Sequence, residues 1–136
     1  MTLEELLEKF MSSLMRRPST CRQARESLER SQLPDEMIDA LLKEAESLGL
    51  IDDSAFARLF AEGHLHWGNL KIAHELSARG VSREDIADAL EECEDESERA
   101  CELAESWRKG GIEERKIQSR LLSRGFTSRA VREALE

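Results

Sequence analysis

His64, His66 and His74, with Trp67 and Glu75 beside them, are the residues of this chain best suited to hold a metal or move a proton. A structural metal site needs about four converging ligands. On a helix, two residues separated by two positions point roughly 200° apart, so His64 and His66 read as helix-surface histidines. Cys21, Cys93 and Cys101 are odd in number and lack metal-ligand spacing; they read as buried or half-buried free thiols of a reducing compartment. Ser12-Ser13 and Ser19-Thr20 have no visible base and fit caps and surface. The acid pairs Asp52-Asp53 and Glu91-Glu92 fit solvated or dipole-stabilising roles. Gly110-Gly111 has no Lys-Ser/Thr sequel and is no phosphate loop. Neither catalysis nor a cofactor is expected, and the chain reads as a binding protein.

The elements that position these residues follow from composition and period. In 136 residues, 40% are hydrophobic and 36% charged, with two prolines and no tyrosine, which favours a soluble, mostly helical chain. No run approaches the roughly 20 apolar residues of a membrane span. The N-terminal MTLEELLEKF is acidic and amphipathic, unlike a secretory signal, so a cytoplasmic location is expected. Aromatics are 4%, too few for a large base-stacking surface.

Net charge is −9. It is −5 over residues 1–53, −5 over 54–95 and +1 over 96–136. Long-range repulsion of this kind opposes approach to phosphate backbones. Any nucleic-acid contact would be local, at Arg16 to Arg30 or at Arg108 to Arg132, where eight bases face two acids.

Thr2 and Glu5 form a capping-box pattern ahead of the stripe Leu3, Leu6, Leu7, Phe10, Met11, Leu14 and Met15. Pro18 ends this first helix. Thr20 and Gln23 repeat the pattern for a second helix, Leu33-Pro34-Asp35 turns, and a third runs to Gly49. A fourth helix starts at Asp52-Asp53-Ser54, with Phe56, Leu59, Phe60 and Leu65 expected to face inward. Gly68 breaks the chain, the fifth helix carries Ile72 and Leu76, Gly80 stops it, Val81 enters the core and Ser82 caps the sixth. Glu91 to Ser97 is a charged joint. The seventh helix holds Ala100, Leu103, Ala104 and Trp107, and Gly110-Gly111 reads as the most flexible linker. The eighth carries Ile117, Leu121 and Leu122 and stops at Gly125; Thr127 caps the ninth.

A repeat runs through these elements. Ile72, Leu76, Val81, Ile86 and Leu90 are spaced by four, five, five and four. Ala24, Leu28, Leu33, Ile38 and Leu42 share those steps, and so do Ile117, Leu121, Phe126, Val131 and Leu135. The expected fold is all-α: three tandem three-helix, helix-turn-helix-like repeats at 1–51, 52–95 and 96–136, forming an elongated, curved array. Helix pairs of this kind admit a DNA-binding transcriptional regulator or a generic helical interaction module. Glu84 and Asp85 at the start of the sixth helix oppose the first reading, since base readout favours Arg, Asn or Gln there.

Two segments carry a resemblance. LGLIDDSAFARLF and GNLKIAHELSARGVSREDIADALEE closely resemble the middle of the RecX family of bacterial recombinase regulators. Ile51, Asp52, Asp53 and Phe56 match its entry motif. Gly68, Lys71, Ile72, Glu75, Leu76, Arg79 and Gly80 match its central segment. LMRRPSTCRQARESL resembles its first unit, with Arg17, Ser19 and Leu28 at matching places. KIQSRLLSRGFTSRAVREAL resembles its third, with Lys116, Leu121, Arg124, Gly125 and Phe126. Asn69 stands where the family usually has proline, and Leu70 replaces a basic residue. The resemblance implies three tandem repeats. It also implies binding to the RecA–single-stranded DNA filament and inhibition of its strand exchange and ATPase. Weak binding to free single-stranded DNA and a monomeric state are expected. Lys71, Glu75, Arg79, Arg115, Lys116, Arg120 and Arg124 are the expected filament-facing residues; Ile51, Asp52, Asp53, Phe56, Gly68, Ile72, Leu76, Gly80, Leu121, Gly125 and Phe126 are expected to be structural.

Overall fold

The structure is a computed structural model that describes residues 2–136. Among the described residues it holds nine helices and no strand: α1 (Leu3–Arg16), α2 (Cys21–Arg30), α3 (Asp35–Ser47), α4 (Asp53–Glu62), α5 (Asn69–Ala78), α6 (Arg83–Glu92), α7 (Glu96–Lys109), α8 (Glu114–Ser123) and α9 (Ser128–Leu135). Local sequence sets most of the boundaries. Both capping boxes form, Thr2 with Glu5 and Thr20 with Gln23. Asp52, Ser82, Asp95 and Thr127 cap their helices through side-chain oxygens. At the C-terminal ends, Leu50, Val81, Ile112 and Phe126 each send an N–H back five residues, to Ala45, Leu76, Trp107 and Leu121. These are Schellman turns, and their apolar residue is what plugs each turn. The Gly110-Gly111 segment, expected as the loosest joint, is one of them: Gly111 donates to Arg108 O and Ile112 to Trp107 O.

Three clusters of buried side chains follow one another along the chain. The first gathers Leu14, Ala24, Leu28, Ile38, Leu41, Leu42, Ala45 and Ile51. The second centres on Ala57, Ala61, Ile72, Leu76 and Val81, the third on Ala100, Ala104, Ile117, Leu121 and Phe126. The inward face of α4 differs from the expected one. Leu59 is 72% exposed, Phe56 and Phe60 are half-buried, and the fully buried residues are Ala57 and Ala61. α4 lies close against α6, and α7 close against α9. Such near approach of two backbones selects small residues at the contact, which alanine pairs supply on α4 and α7. α1 offers only bulky residues, Leu7, Phe10, Met11 and Leu14, and makes no comparably close approach to another helix. Leu122 of α8 also faces outward, 47% exposed.

The second helices of the three units meet end on end. Thr20 Oγ1 donates to Arg79 O at 2.6 Å, and the Arg22 guanidinium reaches Ala78 O. These bonds set the start of α2 on the end of α5. Gly68 N–H donates to Arg124 O (2.9 Å) and Leu70 N–H to Gly125 O (3.0 Å), which sets the start of α5 on the end of α8. At the second junction the orphan N–H groups of one helix thus satisfy the orphan carbonyls of the next, and at the first the side chains of Thr20 and Arg22 do so, with dipoles aligned. Each junction is locked by a carboxylate: Asp53 accepts from Cys21 N–H and Glu96 from Asn69 N–H, both at 2.8 Å. Thr20 is fully buried at the first junction. Thr20→Val should remove both the α2 cap and the bond to Arg79 O, lowering stability by about 1–2 kcal/mol in urea unfolding.

Candidate cation–aromatic face

Of the expected filament-facing residues, Lys71 and Glu75 lie on α5, Arg115, Lys116 and Arg120 on α8, and Arg79 and Arg124 at the ends of those helices; the rings among them come largely from a turn. Residues 63–67 join α4 to α5, so His64 and His66 are not helix-surface residues. The helix ends because His64 N–H turns back to Ala61 O and Trp67 N–H to His64 O. The turn stacks aromatic rings: Phe60 on His64 at 4.2 Å and 27°, and His64 on Trp67 at 4.2 Å and 29°. Phe56 extends the series at 6.3 Å from Phe60. His64 Nδ1 lies 2.7 Å from Phe60 O, which fixes the imidazole in the stack.

Cations close both ends. Arg79 lies 4.8 Å from the Phe60 ring, and Lys71 Nζ 4.3 Å from the Trp67 ring. Glu75 holds Arg79 through a 2.9 Å ion pair one helical turn away, and that hydrogen bond holds the Glu75 carboxyl below the ordinary glutamate range. On the other side of Trp67 lies His66, 5.6 Å between ring centres. Its carbonyl accepts from Arg124 at 3.4 Å. Burial, then the Arg124 charge and the neighbouring His64 and Lys71, push the His66 imidazole below its usual pKa. Arg124 and Arg120 both lie over Trp107, at 5.1 and 5.5 Å. Contacts therefore run without a break from Arg79 in the second unit to Arg120 in the third. Each cation–ring contact contributes about 0.5–1 kcal/mol when exposed, so the set adds only modestly to stability.

Of the expected residues, Lys71, Glu75, Arg79, Arg120 and Arg124 meet in this arrangement. Arg115 and Lys116 are exposed on the first turn of α8 and enter none of its ring contacts. Lys71 and Lys116 share a register position, yet their settings differ: Lys71 is half-buried and packs against Gly125 at the junction. Among the expected structural residues, Ile51, Ile72, Leu76, Leu121 and Phe126 are buried, while Asp52 caps α4 by accepting from Ala55 N–H at 3.0 Å. Gly80 and Gly125 hold φ of +90° and +85° at the two junctions.

Arg99 is the residue the sequence reading passed over. It is 3% exposed. Its guanidinium donates to Leu65 O (3.1 Å) and Trp67 O (2.5 Å), its Nε to Glu94 O (2.9 Å), and its remaining nitrogen to the Asn69 side chain. The plane also lies 5.8 Å from the Phe126 ring. The turn that carries Trp67 is thus held from α7. Asn69, where proline would stand in the resembled pattern, supplies its backbone N–H to Glu96 and its side-chain amide oxygen to Arg99; proline has no backbone N–H and no polar side chain. A signal existed: Arg99 is the lone base in the acid-rich stretch 91–105.

Among the described residues, no three His, Cys, Asp or Glu side chains converge as a metal site. Burial, then Glu46, raises the Cys21 thiol pKa, and burial and Glu62 raise that of Cys93, which leaves both as poor nucleophiles. Among the described residues, no helix is long and apolar enough to cross a membrane. The arrangement can bind anionic or planar groups.

Comparison with known proteins agrees with the architecture. The model of the RecX second three-helix domain matches residues 52–90. The regulatory protein RecX of Streptomyces coelicolor is 33% identical over 134 residues, covering 88% of this chain and 71% of that protein. The regulatory protein RecX of Prosthecochloris aestuarii is 29% identical over 137 residues, covering 96% and 91%. The crystal structure of RecX from Lactobacillus salivarius superposes with a TM-score of 0.85 at 20% identity, over 98% of this chain and 94% of that one. With 33% identity over 71% of the Streptomyces coelicolor protein and the all-helical tandem fold of the Lactobacillus salivarius structure, this chain belongs to the RecX family of regulatory proteins.

Proposed function

We propose that this chain binds the RecA–single-stranded DNA filament and lowers its ATPase and strand-exchange activity in recombination and DNA repair. It would do so as a cytoplasmic monomer of three units, 1–51, 52–95 and 96–136, without catalysis of its own. Family membership supports the partner. The observation that carries the contact surface is the unbroken run of cations and aromatic rings from Arg79 through Lys71, Trp67 and Arg124 to Arg120. Arg115 and Lys116 extend its positive charge along α8. This face offers local positive charge on a chain whose net charge is −9. It suits acidic protein surfaces presented along a filament, with any contact to DNA phosphates confined to the same patch.

The test is RecA-coupled ATP hydrolysis on single-stranded DNA, titrated with this protein. The parent is expected to inhibit. An Arg120→Glu variant is a better probe than a Lys71 or Arg124 variant, because Lys71 packs at the unit junction and Arg124 donates to the His66 carbonyl across it. With unchanged helical circular dichroism, the variant should need roughly tenfold more protein for half-inhibition, with a shallower salt dependence. Equal inhibition by both proteins across a salt series would remove this face from the contact. Free DNA is expected to bind only non-specifically, with Kd on the order of 10⁻⁴–10⁻⁶ M near physiological salt. A nanomolar, site-specific complex in fluorescence anisotropy would favour a DNA-binding regulator instead.

A further inference from the structure

We propose that Gln32 and Glu113 are end stops that keep a second copy of this chain from continuing the column of α2, α5 and α8. The column has two inner junctions and two free ends. At each inner junction the accepting helix ends in a glycine of positive φ, and that glycine lacks the Cβ the incoming helix would strike. A Cβ on Gly80 would lie 2.6 Å from Arg22 Cβ; one on Gly125 would lie 2.5 Å from Lys71 Cβ and 2.6 Å from its backbone nitrogen. The third helix end of this kind is that of α2, and there the register position of Gly80 and Gly125 is Gln32.

Gln32 has the same left-handed backbone, φ +59°, and it is the one non-glycine described residue that does. It is exposed, and the Arg30 and Ser31 carbonyls beside it accept no hydrogen bond among the described residues. They are the register equivalents of Ala78 O and Arg79 O, which receive Arg22 and Thr20. The accepting surface keeps the Gln32 N–H to Glu29 O bond that matches Gly80 to Ser77 and Gly125 to Leu122. Among the described residues it forms no Leu33 counterpart of the Val81 and Phe126 bonds, and it carries a side chain where the next helix would sit. A left-handed conformation is costly for a residue with a Cβ, so the side chain is retained against local preference.

The donating end is closed too. The residues that start the incoming helices are Thr20 and Gly68; at α8 the equivalent is Glu113, exposed and without a side-chain cap bond. A Cβ at Gly68 would lie 2.1 Å from Phe126 N, so bulk is excluded at that junction, and a carboxylate set against helix-end carbonyls is repelled. The partner these ends fit is another copy of this chain, joined head to tail. That contact is heterologous and open-ended, so without stops it grows into chains.

The test is analytical ultracentrifugation of the full chain and of a Gln32→Gly/Glu113→Thr variant over a concentration series. Both substitutions suit their local backbone, glycine at a positive φ and threonine at an N-cap, so the variant is expected to keep parent circular dichroism. The parent and the Glu113→Thr single variant, which keeps Gln32, should remain monomers. The double variant should associate reversibly, its weight-average mass roughly doubling and continuing to rise with concentration. A double variant that stays monomeric with native circular dichroism would overturn the proposal. So would a Glu113→Thr single variant that associates equally well.

Discussion

Arg99→Met should unfold this protein's central turn and cost about 3–5 kcal/mol of stability. Methionine fills much of the arginine volume, so the effect isolates the guanidinium. Four acceptors lose their donor at once: the Leu65, Trp67 and Glu94 carbonyls and the Asn69 side chain. Arg99 is 3% exposed, so water cannot readily replace it, and an unsatisfied buried acceptor costs on the order of 1–3 kcal/mol. Arg99→Lys should recover little. A compact ammonium cannot span acceptors arranged around a planar fork. The whole chain is expected to have only about 5–15 kcal/mol in hand, so urea denaturation should show a large fall in midpoint. The near-ultraviolet signal of Trp67 should weaken at urea concentrations where α-helical signal persists. An unchanged midpoint would mean that Arg99 is not what holds the turn.

That residue also marks where sequence reading stops. The steps of four, five, five and four found inward-facing residues of the helix pairs, all buried except the half-buried Leu33, Leu90 and Leu135, because a short turn between two amphipathic helices constrains the spacing of everything it joins. Caps were legible for the same reason: Thr20 and Gln23, or Ser82 and Asp85, act within three residues. The phase of α4 was not legible. Hydrophobicity favours Phe56, Leu59 and Phe60 for the interior, but the close approach of α4 to α6 is decided by size, and alanine occupies the centre. The His64–Trp67 turn escaped because Gly63 holds an ordinary helical φ of −78° and gives no stop signal of its own. Arg99 and Asn69 are 30 residues apart, and Glu96 and Asn69 are 27 apart; no local period relates them. Lys71, Arg79 and Arg124 match a family pattern, yet nothing in the sequence pairs them or Arg120 with the rings beneath them, Trp67 and Trp107. The site was therefore half legible: its charges in the sequence, its platform only in the folded chain.

Gly68→Ala should separate the second unit from the third. Gly68 is buried with an ordinary φ of −78°, so the backbone would tolerate alanine and local strain is not the cause. The obstacle is space. An added Cβ would lie 2.1 Å from Phe126 N and 2.2 Å from both Gly125 C and Phe126 Cα. All three are backbone atoms, and no rotamer change can relieve the overlap. The start of α5 must move away from the end of α8, which breaks the Gly68 to Arg124 and Leu70 to Gly125 bonds and pulls Asn69 from Glu96 and Arg99. Overpacking of this kind, with two hydrogen bonds lost, should cost about 3–5 kcal/mol. The loss differs in kind from that of Arg99→Met, because the units themselves keep their cores. Thermal unfolding followed by circular dichroism should broaden or split, as coupling between neighbouring units falls. Amide exchange at Leu70 and Phe126 should rise before exchange at Leu76 or Leu121 does. The aromatic run should also break between Trp67 and Trp107, since Arg124 holds the His66 carbonyl across this junction, and inhibition of the filament should fall with it. If Gly68→Ala melts in one transition at the parent temperature, the close end-on-end contact of α5 and α8 does not hold these units together.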